Sequence, residues 1–156
     1  MLYYNQISKG YNELHKEEQF KKLNIINKHL KVKKTDKLLD VGCGTGISSD
    51  FDCKVTGIDP SKELLKQNKG KTILGKAENL PFKDNSFDIV IAVTSIHNFD
   101  DIENGLKEIK RVGKDKFIFS ILKRSKKFNE INSLLNKHFK VNKAIEEEKD
   151  IIFFCV

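Results

Sequence analysis

The sequence predicts an α/β fold built on a mostly parallel, doubly wound sheet. From Lys37 onward, short runs rich in Ile, Val and Phe alternate with amphipathic segments, and the first run leads directly into a loop with three alternate glycines. Strand–helix alternation of this length implies βαβ units, whose crossovers cover both faces of a sheet. Strands covered on both faces read as continuous apolar runs, as these do. A ligand of such a sheet sits beyond the carboxyl ends of its strands.

Phe20, Leu23, Ile26 and Leu30 are spaced as the buried stripe of a helix that precedes the first strand. The apolar runs follow at residues 38–41, 55–58, 72–74, 87–93, 117–122 and 151–156. A short helix is expected over residues 47–51. Asp100 or Asp101 can cap a helix whose stripe is Ile102, Leu106, Ile109 and Val112. Phe128, Ile131, Leu134 and Leu135 mark another helix. Residues 112–116 read as a turn before the fifth strand, where Gly113 and Asp115 favour one. Residues 139–144 and 151–156 read as strands around a turn through residues 146–149. With no repeat, low-complexity tract or Pro/Gly/Ser linker, the chain reads as one domain: a helical cover over residues 1–35 and a core over residues 36–156.

The composition narrows the classes. With 156 residues, 38% of them hydrophobic and 33% charged, the chain can bury a real core. No stretch approaches the roughly 20 apolar residues of a membrane span, and residues 1–11 carry no apolar signal-peptide core. Cys43, Cys53 and Cys155 form no CxxC pair, so neither a disulfide framework nor a metal knuckle is indicated. His15, His29 and His138 have no partners at metal-ligand spacing. A reducing cytoplasm is the expected compartment. The formal charge of +7 favours an anionic partner, but among 29 basic residues only Arg111 and Arg124 are arginine, the residue that grips phosphate bidentately.

The first strand runs into Leu38-Leu39-Asp40-Val41-Gly42-Cys43-Gly44-Thr45-Gly46. The glycines permit a tight turn and a close approach of backbone to ligand. No Lys follows the last glycine, so this is no GxxxxGK[ST] phosphate loop, and Ile47 breaks the GxGxxG fingerprint. Asp40 at the mouth of the loop would repel a pyrophosphate and attract a cationic ligand, one bearing an ammonium and a sulfonium. Nineteen residues later Asp59 ends the second strand, where a carboxylate is placed to accept hydrogen bonds from both ribose hydroxyls.

These segments resemble the class I S-adenosylmethionine (SAM)-dependent methyltransferases, most closely the type 11 group that includes the ubiquinone and menaquinone C-methyltransferases. The likeness continues in Ala77-Glu78-Asn79-Leu80-Pro81-Phe82, in Asn85-Ser86-Phe87-Asp88, and in Tyr4-Asn5-Gln6-Ile7 with Gly10-Tyr11 near the N-terminus. It implies a Rossmann-like, three-layer, seven-stranded sheet with its last strand antiparallel. It also implies SAM as cofactor, with S-adenosylhomocysteine as product. Carried over residue by residue, Asp40, Gly42, Cys43, Gly44 and Gly46 form the loop at the methionine end, with Cys43 a small buried packer. Asp59 would hold the ribose, Pro60 would pack by the adenine, Ala77 would offer its N–H to the ring, and Tyr11 would close over the cofactor. Lys76 stands where the family often has an acid contacting the adenine amine, so Glu78 or backbone carbonyls are expected to serve instead.

The fourth strand ends in Thr94-Ser95-Ile96-His97, beside the reactive methyl in this family. His97 is the candidate general base there, its ordinary pKa suiting proton transfer near neutrality. No N/D-P-P-Y/F motif follows, which disfavours exocyclic amines of the DNA-adenine type. Lys123, Arg124, Lys126 and Lys127 follow the fifth strand as a basic loop on the substrate side and could hold RNA phosphates or an anionic small substrate. No lid insertion is visible, and the length is near the family minimum. An open site, or one completed by a small activator or a second copy, is therefore expected. The acceptor is a small metabolite or an RNA or protein of the translation apparatus. The alternatives are a SAM-binding module without turnover and a catalytic subunit that needs an activator.

Overall fold

The computed structural model describes residues 2–156, with side chains described from Glu13 onward. Helix α1 (Leu2–His29) precedes β1 (Lys37–Val41). A 3-10 turn (Ile47–Ser49), β2 (Lys54–Asp59), α2 (Lys62–Lys66), β3 (Lys71–Leu74) and β4 (Phe87–Val93) follow. A second 3-10 turn (Ile96–Asn98), α3 (Ile102–Val112), β5 (Gly113–Leu122), α4 (Phe128–His138), β6 (Val141–Glu146) and β7 (Asp150–Cys155) complete the chain.

The strands form one seven-stranded sheet in the order β3-β2-β1-β4-β5-β7-β6. β1 pairs in parallel with both β2 and β4, β3 extends β2, and β5 extends β4, also in parallel. β7 runs antiparallel to β5 and β6. This is the mixed sheet with an antiparallel last strand that the motifs imply. The strand order reverses between β1 and β4, so the ends of those strands open onto a switch-point crevice.

Alternate residues of each central strand feed two cores. Leu39, Val90, Ala92, Phe117 and Phe119 pack against Ile102, Leu106 and Ile109 of α3 and Ile131 and Leu135 of α4. Leu38, Ile89, Ile91 and Ile118 pack on the opposite face against Leu23 and Ile26 of α1. The predicted stripe of α3 is buried; in α4, Ile131 and Leu135 are buried and Phe128 and Leu134 are partly buried against the same core. Asp101, not Asp100, caps α3, accepting from Asn104 N at 3.1 Å.

Several boundaries differ from expectation for local reasons. The helix expected over residues 47–51 is only the turn Ile47–Ser49, because Ser48 and Ser49 turn their hydroxyls onto Asp40 instead of extending a helix. The turn expected over residues 112–116 is strand from Gly113 onward. A Cβ at Gly113 would lie 2.4 Å from the Phe117 ring and 2.8 Å from Val90, so glycine lets the strand leave α3 directly, with a bulge in the β4–β5 register. The hairpin strand expected over residues 139–144 is Val141–Glu146. In α1 the buried stripe keeps Leu23 and Ile26, with Leu30 packed beside them, and is widened by Gln19 and Lys22, while Phe20 is exposed.

Arg111, in the last turn of α3, ties down the segment before β4. Its guanidinium donates to the carbonyls of Leu80 (3.0 Å) and Phe82 (2.8 Å) and to the carboxylates of Asp84 and Glu108. Glu108 in turn accepts from Leu80 N at 2.9 Å. Replacement Arg111→Met orphans these groups and is expected to cost about 1–3 kcal/mol in urea unfolding; Lys126→Met, on an exposed loop, should stay within about 0.5 kcal/mol of the parent.

Candidate functional site

The loop after β1 is fixed from below and from both sides. Gly42 N and Cys43 N both donate to Ile58 O at the end of β2, at 2.8 and 3.2 Å. Gly42 has φ 78°. A Cβ there would lie 2.4 Å from Ser95 Cβ at the end of β4, so only glycine fits. Ser95 Oγ donates to Val41 O at 2.8 Å, which closes this contact between the two strand ends. Asn68, after α2, donates to Gly44 O at 3.1 Å. A Cβ on Gly46 would meet that amide at 2.9 Å.

Two carboxylates frame the loop. Asp59 Oδ2 accepts from Gly44 N at 2.9 Å and Oδ1 from Ser61 N at 2.8 Å. The cap of α2 is Ser61 itself, which accepts from Leu64 N. Asp59 is therefore free of capping duty, and each of its oxygens retains a lone pair for a ligand hydroxyl. Asp40 is fully buried beneath the loop, where its Oδ2 accepts the Ser48 and Ser49 hydroxyls at 2.8 and 2.6 Å. Burial, only partly offset by those two bonds, raises its pKa to about 6. Cys43 is sealed against Gly57, where an added Cβ would be 2.5 Å from its sulfur. Burial and the two nearby carboxylates push its thiol up to about 12, so it stays protonated and packs.

Above this floor lies a cleft of about 1360 Å³. Gly42, Gly44, Gly46, Asp59, Pro60, Ala77, Glu78 and Thr94 all line it. Asp40 and Cys43 lie beneath it. Tyr11 lies on α1, outside the residues with described side chains. One end is walled by His15, Lys16, Gln19 and Phe20 of α1, facing the glycine loop; the other by the turn after β3 and the segment after β4. At that second end Lys76 reaches across to Asp100 at 2.7 Å, and Glu78 Oε1 accepts from Asp101 N at 3.2 Å. A carboxylate thus stands beside Lys76, brought from the β4–α3 loop where no motif marked it.

Thr94, at the end of β4, has φ 50°. Its N–H donates to Ser120 Oγ at 2.8 Å, and its hydroxyl bonds Asp150 Oδ2 at 2.7 Å. The cleft lining includes Ser95, Asn98 and Phe99 but not His97. His97 is half-buried. Desolvation, with the nearby Lys127 ammonium, holds its imidazole below the ordinary range and therefore neutral. Lys127 Nζ donates to His97 O at 3.0 Å, and Lys123 pairs with Glu146 at 2.9 Å. Arg124 and Lys126 are exposed, and none of the four basic residues lines the cleft. No cluster of metal-ligating residues occurs among the described residues, and no helix among them is long and apolar enough to cross a membrane.

The methyltransferase domain family model matches residues 39–121, just over half the chain. An uncharacterised protein of Methanocaldococcus jannaschii is 34% identical over 96% of this chain and 62% of its own length. A demethylmenaquinone methyltransferase of Staphylococcus epidermidis is 36% identical over 70% of this chain and 53% of its own. The chain thus spans a little over half the length of these curated relatives. Among solved structures, a SAM-dependent methyltransferase of Thermotoga maritima superposes with a TM-score of 0.76 at 22% identity, covering 96% of this chain and 95% of the other. A chain from the Haloferax volcanii complex between the Trm112 methyltransferase activator and a methyltransferase gives 0.79 at 14% identity, covering 96% and 94%. At these identities the structural likeness establishes the fold.

The raised pKa of Asp40 has a signed consequence. A carboxyl whose pKa rises on folding stabilises the fold below its unfolded value near 4, and that contribution is lost as pH climbs through about 6. Asp40→Asn keeps both serine bonds and removes the titration. Its stability relative to the parent, in ligand-free thermal or urea unfolding, should improve by about 1 kcal/mol between pH 5 and pH 8.

Proposed function

The chain belongs to the methyltransferase domain family, in the type 11 group of class I SAM-dependent enzymes, and we propose that it binds SAM in this cleft and transfers the methyl group to an acceptor at the carboxyl end of β4. The observation that carries the proposal is the pairing of Asp59 with a glycine-rich loop: the carboxylate is braced by Gly44 N and Ser61 N, retains lone pairs and lines the cleft. The residues fit such a ligand. Gly42 and Gly44 leave room for close backbone approach, and buried Asp40 places negative potential under the cationic end. Asp59 suits the ribose diol. Pro60, the Ala77 N–H and the Lys76–Asp100 pair surround the place for the base. The volume exceeds the roughly 300–1,000 Å³ of ordinary ligand pockets, which leaves space for an acceptor beside the cofactor.

When bound, SAM supplies an electrophilic methyl carried on a sulfonium. The chain's own task is orientation, since in-line displacement depends chiefly on positioning. In this reading Thr94 and Ser95 form the wall at the reacting end. His97, kept neutral, takes a proton from an acceptor that must lose one, and Lys127, bonded to the His97 carbonyl, places the basic loop on that approach. An acceptor that meets His97 approaches the end of β4 from the α4 side, since His97 stands outside the cleft lining. Lys123, Arg124, Lys126 and Lys127 suit an anionic acceptor, a metabolite or a piece of RNA. Cysteines that are all free agree with a reducing, cytoplasmic setting. A second reading, a catalytic subunit completed by an activator, is favoured by the likeness to the chain solved with Trm112.

Calorimetry with S-adenosylhomocysteine on cofactor-stripped protein tests the cofactor: binding by the parent is expected. Asp59→Ala, checked for a normal thermal transition, should lose at least tenfold in affinity; equal affinity would remove the ribose assignment. Incubation of methyl-labelled SAM with RNA, protein and metabolite fractions then identifies the acceptor class. With that acceptor, His97→Ala should slow transfer by about 10²-fold or more if a proton must leave. A folded protein that binds the product but labels nothing, until a partner is added, supports the activator reading.

A further inference from the structure

Beside Leu23 and Ile26, α1 also buries two polar side chains, Gln19 and Lys22. Lys22 is 3% exposed and Asp150, at the start of β7, is fully buried. Lys22 Nζ lies 3.2 Å from Asp150 Oδ2 and donates to Thr94 Oγ1 at 2.8 Å. Outside this buried pair, Lys21 meets Glu148 at 3.3 Å and Glu18 meets Lys149. The helix is thus latched to the β6–β7 turn by opposite charges in succession. A buried ion pair adds little net stability compared with apolar packing, but it does select one register. The register selected here puts Gln19, one turn before Lys22 on the same face, into the wall of the cleft opposite the glycine loop. Gln19 is 6% exposed, and its carboxamide oxygen is buried with no hydrogen-bond partner among the described residues. An unmade bond at a buried amide is costly, so such an atom in a cleft wall points to a ligand donor.

We infer that Gln19 is a binding residue for the amino-acid end of the cofactor, accepting from its ammonium group, and that the Lys22–Asp150 pair is the positioning device that holds it there. The inference rests on the SAM reading of the cleft. The ribose is assigned to Asp59 and the base to the end around Ala77, so the end walled by α1 and the 3-10 turn after Gly46 receives the charged tail. Thr94 bonds directly to both members of the pair, so the latch also fixes the end of β4 against which the tail lies.

Two ligands separate the contact from general damage. S-adenosylhomocysteine carries the amino-acid tail; 5′-methylthioadenosine has the same nucleoside and thioether without it. In calorimetry, Gln19→Leu should weaken S-adenosylhomocysteine at least fivefold and leave 5′-methylthioadenosine within twofold. Unchanged affinity for both, or an equal loss for both, overturns the contact. Lys22→Met combined with Asp150→Asn removes the pair without stranding one charge, so the fold is retained. It should show the same selective loss, with faster amide exchange in α1 and unchanged exchange in β1 and β4. Parent-like affinity in that double variant overturns the latch. A parent protein that binds neither ligand overturns the cofactor reading and this contact with it, whereas parent binding with an unaffected Gln19→Leu overturns the contact alone.

Discussion

The site depends on how closely the loop after β1 lies on the ends of its two neighbours in the sheet. Ile58 O accepts from two successive N–H groups of that loop, and Ser95 packs where a side chain on Gly42 would be. Parallel pairing aligns β1 with β2 and β4, so their last residues arrive together at one crevice. Asp40, Asp59 and Thr94 therefore lie at or beside neighbouring strand ends around one cleft, although 54 residues separate the first from the last. A shift of one residue in any register would turn each of these side chains to the opposite face.

That geometry carries an electrostatic cost. Asp40 is buried below the loop with only two hydroxyl donors, and its raised pKa is the visible sign of unpaid desolvation. Leu38, two residues earlier on the same face, is apolar and packs in the core. Asp59 is better satisfied, but by backbone N–H groups that leave its outward lone pairs unused. In the proposed reading, both carboxylates serve a partner carrying positive charge or hydroxyls. Neither suits a phosphate.

Much of this was legible in the sequence because it rests on short-range rules. The glycine loop, Asp59 as a strand-end acid, the buried strands, and the stripes of α3 and α4 all follow from local patterns, the longest being the nineteen-residue spacing from Asp40 to Asp59. The rest depends on contacts distant in the chain. The stripe Phe20, Leu23, Ile26, Leu30 missed that Lys22 has a buried partner 128 residues away, and so placed Phe20 in the core when it lines the cleft. A hint was present: Asp150 is a lone charge joined to an otherwise apolar strand, and Glu18, Lys21 and Lys22 mirror the signs of Lys149, Glu148 and Asp150. Asn68, which braces Gly44, and Asp100, which faces Lys76, left no such trace, because a single polar residue in a loop carries no periodicity to read.

The excess positive charge sharpens in the same way. Several lysines that give the chain its +7 are occupied in the fold: Lys22 with Asp150, Lys76 with Asp100, Lys123 with Glu146, Lys127 with the His97 carbonyl. The floor of the cleft, by contrast, is set by Asp40 and Asp59. Basic protein and acidic floor are therefore separate features with separate consequences. In the proposed reading a cationic cofactor would be drawn to the floor, whereas an anionic acceptor would be repelled by it and gain attraction only on the side of the β5–α4 loop. If both ligands bind, they must enter from different sides, and β4, with Thr94 and Ser95 at its end, is where the two approaches converge.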